Sequence, residues 1–329
     1  MNEFMNIPRR TFLRFAAGVA AFPAAPHLAR AETYPSRPVR IIVGFAAGGP
    51  NDIAARVIGQ WLSEHLGKPF LVENRPGAAS NMATEQVVRS RPDGYTLVMM
   101  GPPAVLNPSL YENLNFSFIR DIAPIAGIVR TPEVMLVNPS VPANSVPEFI
   151  AYAKANPGKL NMATAGNGSM PHVAGELFKL RAGVDLVTVG YRGGAPALVD
   201  LLSGHMHVMF ESPIPTIAHV KAGKLRALAV ASATRSEVLP DVPVMADFIP
   251  GFEASAWYGL GSPKGTPADV VETLNRSVNA GLADATIKQR LTELGGVPMP
   301  LSPQEFGKLI ADDTEKWGNV IRTAKIRPD

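Results

Sequence analysis

The sequence predicts an α/β fold with mostly parallel sheets, divided between two domains. Three observations point there. From Val39 onward, short apolar runs alternate with segments of helical periodicity, the pattern of strands joined by crossover helices. Several of those runs end in turns built of Gly, Ser, Asn or Pro. The 329 residues, 46% hydrophobic and 18% charged, hold enough apolar surface for more than one core.

The stretch Ile41 to Arg56 sets the pattern. Ile41 to Val43 reads as a buried strand and Gly44 to Gly49 as a turn of small residues. Ile53, Ala54, Val57, Ile58, Trp61 and Leu62 form the apolar stripe of a helix that Gly67 stops. A helix so placed directs its unpaired N–H groups and the positive end of its dipole into the turn, which is an anion-binding layout. Phe70 to Val72 predicts a second strand, followed by the turn Glu73 to Asn81 and a helix from Met82 to Arg89. After the turn signal Arg91-Pro92-Asp93-Gly94, Tyr95 to Met100 predicts a third strand that ends at Gly101-Pro102-Pro103. Ile122 to Val129 and Val134 to Val137 read as extended segments broken at Thr131-Pro132, the expected first crossing between domains.

The next stretch repeats that logic. Ser145 with Glu148 has capping-box spacing for a helix to Ala155. Leu160 to Thr164 predicts a strand, Ala165 to Ser169 a turn, and Pro171 to Arg181 a helix. Leu186 to Val189, the turn Tyr191-Arg192-Gly193-Gly194 and a helix from Ala195 to Ser203 follow, then a strand from His207 to Phe210 and a helix ending near Gly223. Leu225 to Ser232 is expected to be the strand that crosses back. Trp257 to Gly261 predicts a last long strand. Three helices then start at Thr266-Pro267 with Asp269, at Asp284, and at Ser302-Pro303 with Glu305, each with a capping oxygen ahead of the helical run. Trp61, Trp257 and Trp317 fit core positions of their elements.

The first residues read as a targeting segment. Arg9-Arg10-Thr11-Phe12-Leu13-Arg14, the apolar run Phe15 to Phe22 and the small-x-small site Ala29-Arg30-Ala31 follow in the order of a twin-arginine export signal, with cleavage expected before Glu32. That run is too short to span a bilayer, and no later segment approaches about 18 uninterrupted apolar residues. A released bacterial periplasmic protein is the expectation. Removing residues 1–31 takes Lys+Arg from 31 to 27 and Asp+Glu from 28 to 27, so the remainder is formally neutral. Neither nucleic acid nor a membrane surface is implied as a partner. The chain contains no cysteine, which excludes disulfides and thiol chemistry.

Ligands of open α/β sheets bind outside the carboxyl ends of the strands. If two lobes face each other, the turns 45–52, 77–81, 101–104, 165–169 and 191–194 line one cleft, and several helix N-termini converge on it. One such terminus contributes about 0.3 to 1 kcal/mol toward an anion, so several together select a carboxylate without a buried arginine.

Taken together, Gly44-Phe45-Ala46-Ala47-Gly48-Gly49-Pro50-Asn51-Asp52 with Ala55-Arg56, Glu73-Asn74-Arg75-Pro76-Gly77-Ala78, Ala165-Gly166-Asn167-Gly168-Ser169 with His172, Tyr191-Arg192-Gly193-Gly194-Ala195-Pro196-Ala197 and Val208-Met209-Phe210-Glu211 resemble the Bug family, the TctC-like receptors of tripartite tricarboxylate transporters. The resemblance covers the exported chain and keeps the motif order. It implies a two-lobed, type II periplasmic binding-protein fold: residues 1–31 a cleaved signal peptide, 32–130 plus 225–329 one lobe, 131–224 the other. It implies a monomeric receptor, without cofactor or metal, that binds a small di- or tricarboxylate and delivers it to integral-membrane subunits. By motif, Phe45, Ala46, Ala47, Gly48, Gly49 and Asp52 line the first lobe's anion turn, with Ser80, Asn81 and Gly101 beside it. Gly166, Asn167, Ser169, His172, Tyr191, Gly193 and Gly194 face them, with Glu211 at the far edge. The sequence departs from the pattern at Ala46-Ala47, where prolines are frequent, and at Ser80-Asn81, where a glycine pair is common. Met100-Gly101-Pro102-Pro103 lacks the usual hydroxyl residues, and His207 and Glu211 replace aspartates.

Other readings of the same residues stand beside these. Asp52 suits a ligand amine or water, or equally a pair with Arg56 within its own helix. His172 suits a carboxylate donor or a packing histidine, and Arg75 and Arg192 suit bracing of their turns. His205 and His207 with Glu211 lack a third placed metal ligand. The chain has no Gly-x-Ser-x-Gly elbow and no His-Glu-x-x-His, so no enzyme is indicated. The rival reading is an exported nucleotide- or flavin-binding oxidoreductase, because the first strand, turn and helix with Glu73 imitate a dinucleotide-binding start. Its glycine spacing, Gly44-x-x-x-Gly48-Gly49, does not match Gly-x-Gly-x-x-Gly.

Overall fold

The computed structural model describes residues 34–328 apart from Asn167, Arg192, Ile214 and Leu294. The expected signal peptide and the assignments to Asn167 and Arg192 lie outside the described residues.

Strand β1 (Val39–Val43) is apolar along its length, and Ile41, Ile42 and Val43 are completely buried, as a strand sheltered on both faces requires. β2 (Phe70–Asn74) and β3 (Thr96–Met100) flank it in parallel. The crossovers are α1 (Pro50–Leu66), stopped by Gly67 in the left-handed conformation, and α2 (Asn81–Val88). Two short helices, α3 (Pro103–Leu110) and α4 (Phe118–Asp121), lead into the long β4 (Ile122–Pro132). A single residue, Glu133, separates β4 from β5 (Val134–Val137), which belongs to a second sheet.

That sheet is assembled from β5, α5 (Val146–Ala155), β6 (Asn161–Thr164), α6 (Met170–Ala182), β7 (Val187–Gly190), α7 (Gly194–Ser203), β8 (Val208–Glu211), α8 (Ile217–Lys221) and β9 (Arg226–Val230). The strand expected to cross back at 225–232 instead pairs with β5 as the sheet's edge. The return is made further on, where β10 (Ser255–Pro263) enters the first sheet between β3 and β4. Helices α9 (Ala268–Ala283) and α10 (Ala285–Glu293), the short β11 (Val297–Pro298) and α11 (Pro303–Thr323) complete the chain.

The orders are β2-β1-β3-β10-β4-β11 and β7-β6-β8-β5-β9. Each sheet contains a parallel triplet whose first strand lies in the middle, and in each the remaining strands pair antiparallel. The expectation of mostly parallel sheets therefore holds for the crossover triplets. The strands that pass between sheets, or join them from the chain's end, run the other way. β1 and β6 are consequently switch points, from which successive strands are laid down on opposite sides.

Burial confirms the core. β10 is buried at all positions, and Trp257 and Trp317 are each 1% exposed. The Trp257 indole donates to Asp313 Oδ2 at 2.9 Å. Trp61 lies half-buried against Gly281 of α9 and donates to the Ser277 carbonyl. Of the capping expectations, Ser302 and Glu305 form a reciprocal box, and Asp284 Oδ1 accepts from the amides of Thr286 and Ile287. Ser145 caps α5, but Glu148 reaches back to the Asn144 amide. Thr266 caps nothing, because its hydroxyl donates to the Pro263 carbonyl. Ser302→Ala removes an N-cap from the longest helix and is expected to lower stability by about 1 kcal/mol, read by urea denaturation.

Candidate functional site

The turn after β1 is held by one carboxylate. Asp52, in the first turn of α1, is 2% exposed. It accepts from the Gly48 amide at 2.9 Å, from Arg56 through both nitrogens at 2.9 Å, and from Asn74 Nδ2 at 2.9 Å. Asn74, the last residue of β2, also donates to the Phe45 carbonyl at 3.0 Å. Burial opposes the charge on Asp52, and the bonds from Arg56, Gly48 and Asn74 outweigh it, holding the carboxyl below its usual range. Of the two roles open to Asp52, the structure shows the internal one: it fixes the turn.

Gly48 has φ 88°, a region that favours glycine, whereas Gly49 has φ −81° and needs no glycine for its conformation. A methyl on Gly49 would meet only the Ala46 carbonyl at 3.8 Å, so this position is bare on the open side of the turn. Among the described residues the amides of Ala46, Ala47 and Gly49 have no partner.

The turn after β2 is strained. Ala78, Ala79 and Ser80 have φ of 46°, 49° and 73°, three consecutive left-handed residues without a glycine. The positions that demand such a backbone are thus 78–80, while Asn81 is ordinary helix. Asn107 on α3 binds this turn through Nδ2, to the Ala79 carbonyl at 2.9 Å and to Asn81 Oδ1 at 2.7 Å. Ser80 packs against Gly44, where a side chain would collide with it.

These turns and those of the second sheet enclose one cavity of about 380 Å³. The first sheet contributes Phe45, Asn51, Ala79, Pro102, Pro103 and Asn107, with Tyr258 from β10. The second contributes Ala165, Gly166, Gly168, Ser169, Met170, Tyr191 and Gly193. The cavity therefore lies at the carboxyl ends of both parallel triplets, and the N-termini of α1, α6 and α7 begin in turns that border it. Another cavity, of about 190 Å³, lies between the end of β4 and residues 232–238, away from those strand ends.

Of the site residues expected from sequence, Phe45, Gly166, Ser169, Tyr191 and Gly193 line the cavity. Ala46, Ala47, Gly48, Gly49 and Asp52 form the turn behind or beside it. Gly101 stands where a methyl would meet Asn51 Nδ2 at 2.9 Å and the Tyr258 ring at 3.2 Å, so its bareness admits both. Ser80 and Asn81 are buried under the Ala79 turn. His172 accepts the Gly168 amide at Nδ1, at 3.0 Å, and the Ser169 hydroxyl caps α6, so both shape the second sheet's turn. Tyr191 donates to Asp200 at 2.6 Å; burial and that bond push its pKa to about 12, leaving it neutral. Arg75 is exposed beside Glu73.

The residue that sequence reading missed is Asn51. It is 7% exposed, lines the cavity, and its Nδ2 is buried with no hydrogen-bond partner. Asn51 falls within the turn 45–52 expected to line the cleft, but nothing in the sequence singles out its side chain; its closeness to Gly101 makes it a wall residue. Gly194 and Glu211 touch, since a methyl on Gly194 would run into the Glu211 carboxylate, which accepts from the Ser212 amide at 2.9 Å.

No group of three candidate metal ligands occurs among the described residues. His207 accepts the Asn161 amide, and His205 lies 3.0 Å from the Ser203 hydroxyl. Glu73, which a dinucleotide site would turn toward a ribose, is clamped by Arg40 at 2.7 and 2.9 Å. The oxidoreductase reading thus lacks its recognition carboxylate.

Two predictions follow from this geometry. Asp52→Asn is expected to cost on the order of 2 kcal/mol at neutral pH, the loss of charged hydrogen bonds. The gap to wild type should close as pH falls through the lowered Asp52 pKa, where the native carboxylate also loses its charge; unfolding curves across the acid range check both. Ala79→Gly relieves a left-handed alanine and is expected to raise stability by roughly 1 kcal/mol, measured in the same way.

The sequence matches the tripartite tricarboxylate transporter family receptor, TctC, over residues 54–326. BugT of Bordetella pertussis is 36% identical over 309 residues, 93% of each chain. An R. palustris protein solved with adipate superposes with a TM-score of 0.78 at 34% identity, covering 90% of this chain and all of that one. MatC from Rhodopseudomonas palustris, with bound malate, superposes with a TM-score of 0.73 at 31% identity, over 88% of this chain and all of the other. Together with the paired switch-point turns, these likenesses identify the fold as that of a periplasmic binding protein, and the chain belongs to the TctC family of tripartite tricarboxylate transporter receptors, alongside the Bug proteins.

Proposed function

We propose that this chain is an exported periplasmic receptor. It holds a small organic acid between its two halves and delivers it to the integral-membrane subunits of a tripartite tricarboxylate transporter. The observation that carries this reading is the cavity at the two switch points, with the buried, unpartnered Nδ2 of Asn51 in its wall. A buried donor without an acceptor costs about 1 to 3 kcal/mol, and a ligand carboxylate supplies the missing acceptor. The free amides of Ala46, Ala47 and Gly49 and the helix N-termini add donors whose orientation is fixed before the ligand arrives. Adipate and malate in the related structures support a carboxylic acid as the solute.

The protein makes and breaks no bond in its solute and needs no cofactor. It works as a monomer, with residues 1–31 directing export. The two halves are the first sheet with its helices and the second sheet with its helices. They close by bending where the chain passes between them. Glu133 N–H donates to the Ala254 carbonyl, Ala231 N–H donates to the Glu133 carbonyl, and Ala254 N–H donates to the Ala231 carbonyl, so three segments bend as one. The apolar faces of Pro102, Pro103 and Phe45 suit the hydrocarbon part of an organic acid rather than a bare inorganic anion.

A panel of mono-, di- and tricarboxylates, read by thermal shift, tests the proposal. An acid present at about 100 times its Kd stabilises the fold by roughly 2.7 kcal/mol. Asn51→Leu should weaken that acid by about ten- to a hundredfold while leaving the ligand-free melting temperature within a few degrees. The absence of any shift across the panel, with no co-purified acid, would reject the receptor reading.

A further inference from the structure

Glu133 has no place in the site described so far, and its surroundings are unusual. It is the single residue between β4 and β5, where the chain first passes from one sheet to the other. Its side chain is 2% exposed, and its Oε2 is buried without a hydrogen-bond partner. On the adjacent strand β8, Glu211 is paired in register with Val134, the residue after Glu133. Tyr258 of β10 is buried and feels the charge of both carboxyls, and its ring lines the ligand cavity. The other groups acting on the pair are the amide and hydroxyl of Ser212, both on Glu211. No Lys, Arg or His among the described residues acts on either carboxyl.

Burial and mutual repulsion penalise two charges here. Burial comes first for Glu133, followed by the charge on Glu211, and both effects push its carboxyl up; Glu211 is also raised, chiefly by burial. Two charges here are costly, so a proton on the pair becomes more favourable whenever a further negative charge comes near. The pair stands at the crossing on which closure depends, and its charge reaches Tyr258 in the cavity wall. An anion entering beside Tyr258 adds a further negative charge to the same poorly screened region.

We infer that the Glu133–Glu211 pair couples solute capture to proton uptake: a carboxylate enters the cleft together with a proton on this pair, and loss of that proton favours release. This inference rests on the receptor reading above and assigns to that site a regulation by pH.

The pair is judged first without solute. A carboxyl whose pKa is raised on folding stabilises the protein at low pH, and that contribution is lost as pH rises from the unfolded value to the folded one. Glu133→Gln abolishes the loss, so its melting temperature should gain on wild type progressively above about pH 5, until the free pair has released its proton and the gap becomes constant. A difference independent of pH overturns the proposal and leaves the receptor reading intact. If Glu133→Gln does not fold, Glu211→Gln is expected to give the same trend.

Adipate is then the probe, titrated by calorimetry in buffers of different ionisation enthalpy. Above about pH 6.5, where its carboxyls are ionised, and above the pH at which the melting series shows the free pair releasing its proton, wild-type affinity should fall by up to tenfold per pH unit, with up to one proton taken up per adipate bound. The glutamine variant should bind with little proton uptake and little pH dependence. Adipate binding to the wild type without proton uptake overturns the coupling alone. Failure of adipate and of the whole carboxylate panel to bind any of these proteins overturns the receptor reading, and the coupling with it.

Discussion

The cleft depends on the buried carboxylate of Asp52. It joins three pieces of chain through one carboxylate: the Gly48 turn, the first helix through Arg56, and the end of β2 through Asn74. This carboxylate takes the Gly48 amide, while the neighbouring amides of Ala46, Ala47 and Gly49 have no partner among the described residues. The second sheet uses a different group for a similar end, since His172 takes the Gly168 amide and the Ser169 hydroxyl caps the next helix. In both halves an internal acceptor uses one amide of the turn and thereby fixes the direction of the rest.

Fixing these turns lets small residues do the work that charged side chains do in other anion sites. Gly101 is bare where a methyl would meet both the Asn51 amide and the Tyr258 ring. The three left-handed residues at 78–80 keep the Ala79 turn against the cavity, and Asn107 compensates by binding the Ala79 carbonyl.

The strand arrangement makes this site possible. Each sheet begins its parallel triplet in the middle, so the turns after β1 and β3, and after β6, open beside a reversal of strand order, where no crossover helix covers them. The antiparallel strands β4, β5 and β10 carry the chain between the sheets and meet at Glu133, Ala231 and Ala254, close to the cleft's inner wall. Tyr258 in the cavity wall lies close enough to this crossing to feel a charge on Glu133 or Glu211.

Local patterns in the sequence determined the elements. The apolar run at Ile41–Val43, the helical stripe ended by Gly67, the box at Ser302 and Glu305, and the small-residue turns each express a preference of a few consecutive residues, and the structure keeps all of them. Those turns, in their order, were also enough to suggest the family. What the sequence left open were the relations between distant segments. Asp52 was equally a ligand group or a brace until Asn74 and Gly48 were brought to it; β9 read as a crossing strand until it paired with β5. Asn51 was legible only as part of the turn 45–52 and Glu133 not at all, since what marks each is one side-chain atom, Nδ2 and Oε2, buried without a hydrogen-bond partner by distant parts of the chain. Periodicity and turn chemistry are written along the chain, whereas desolvation and charge proximity come into being only when the two sheets are assembled.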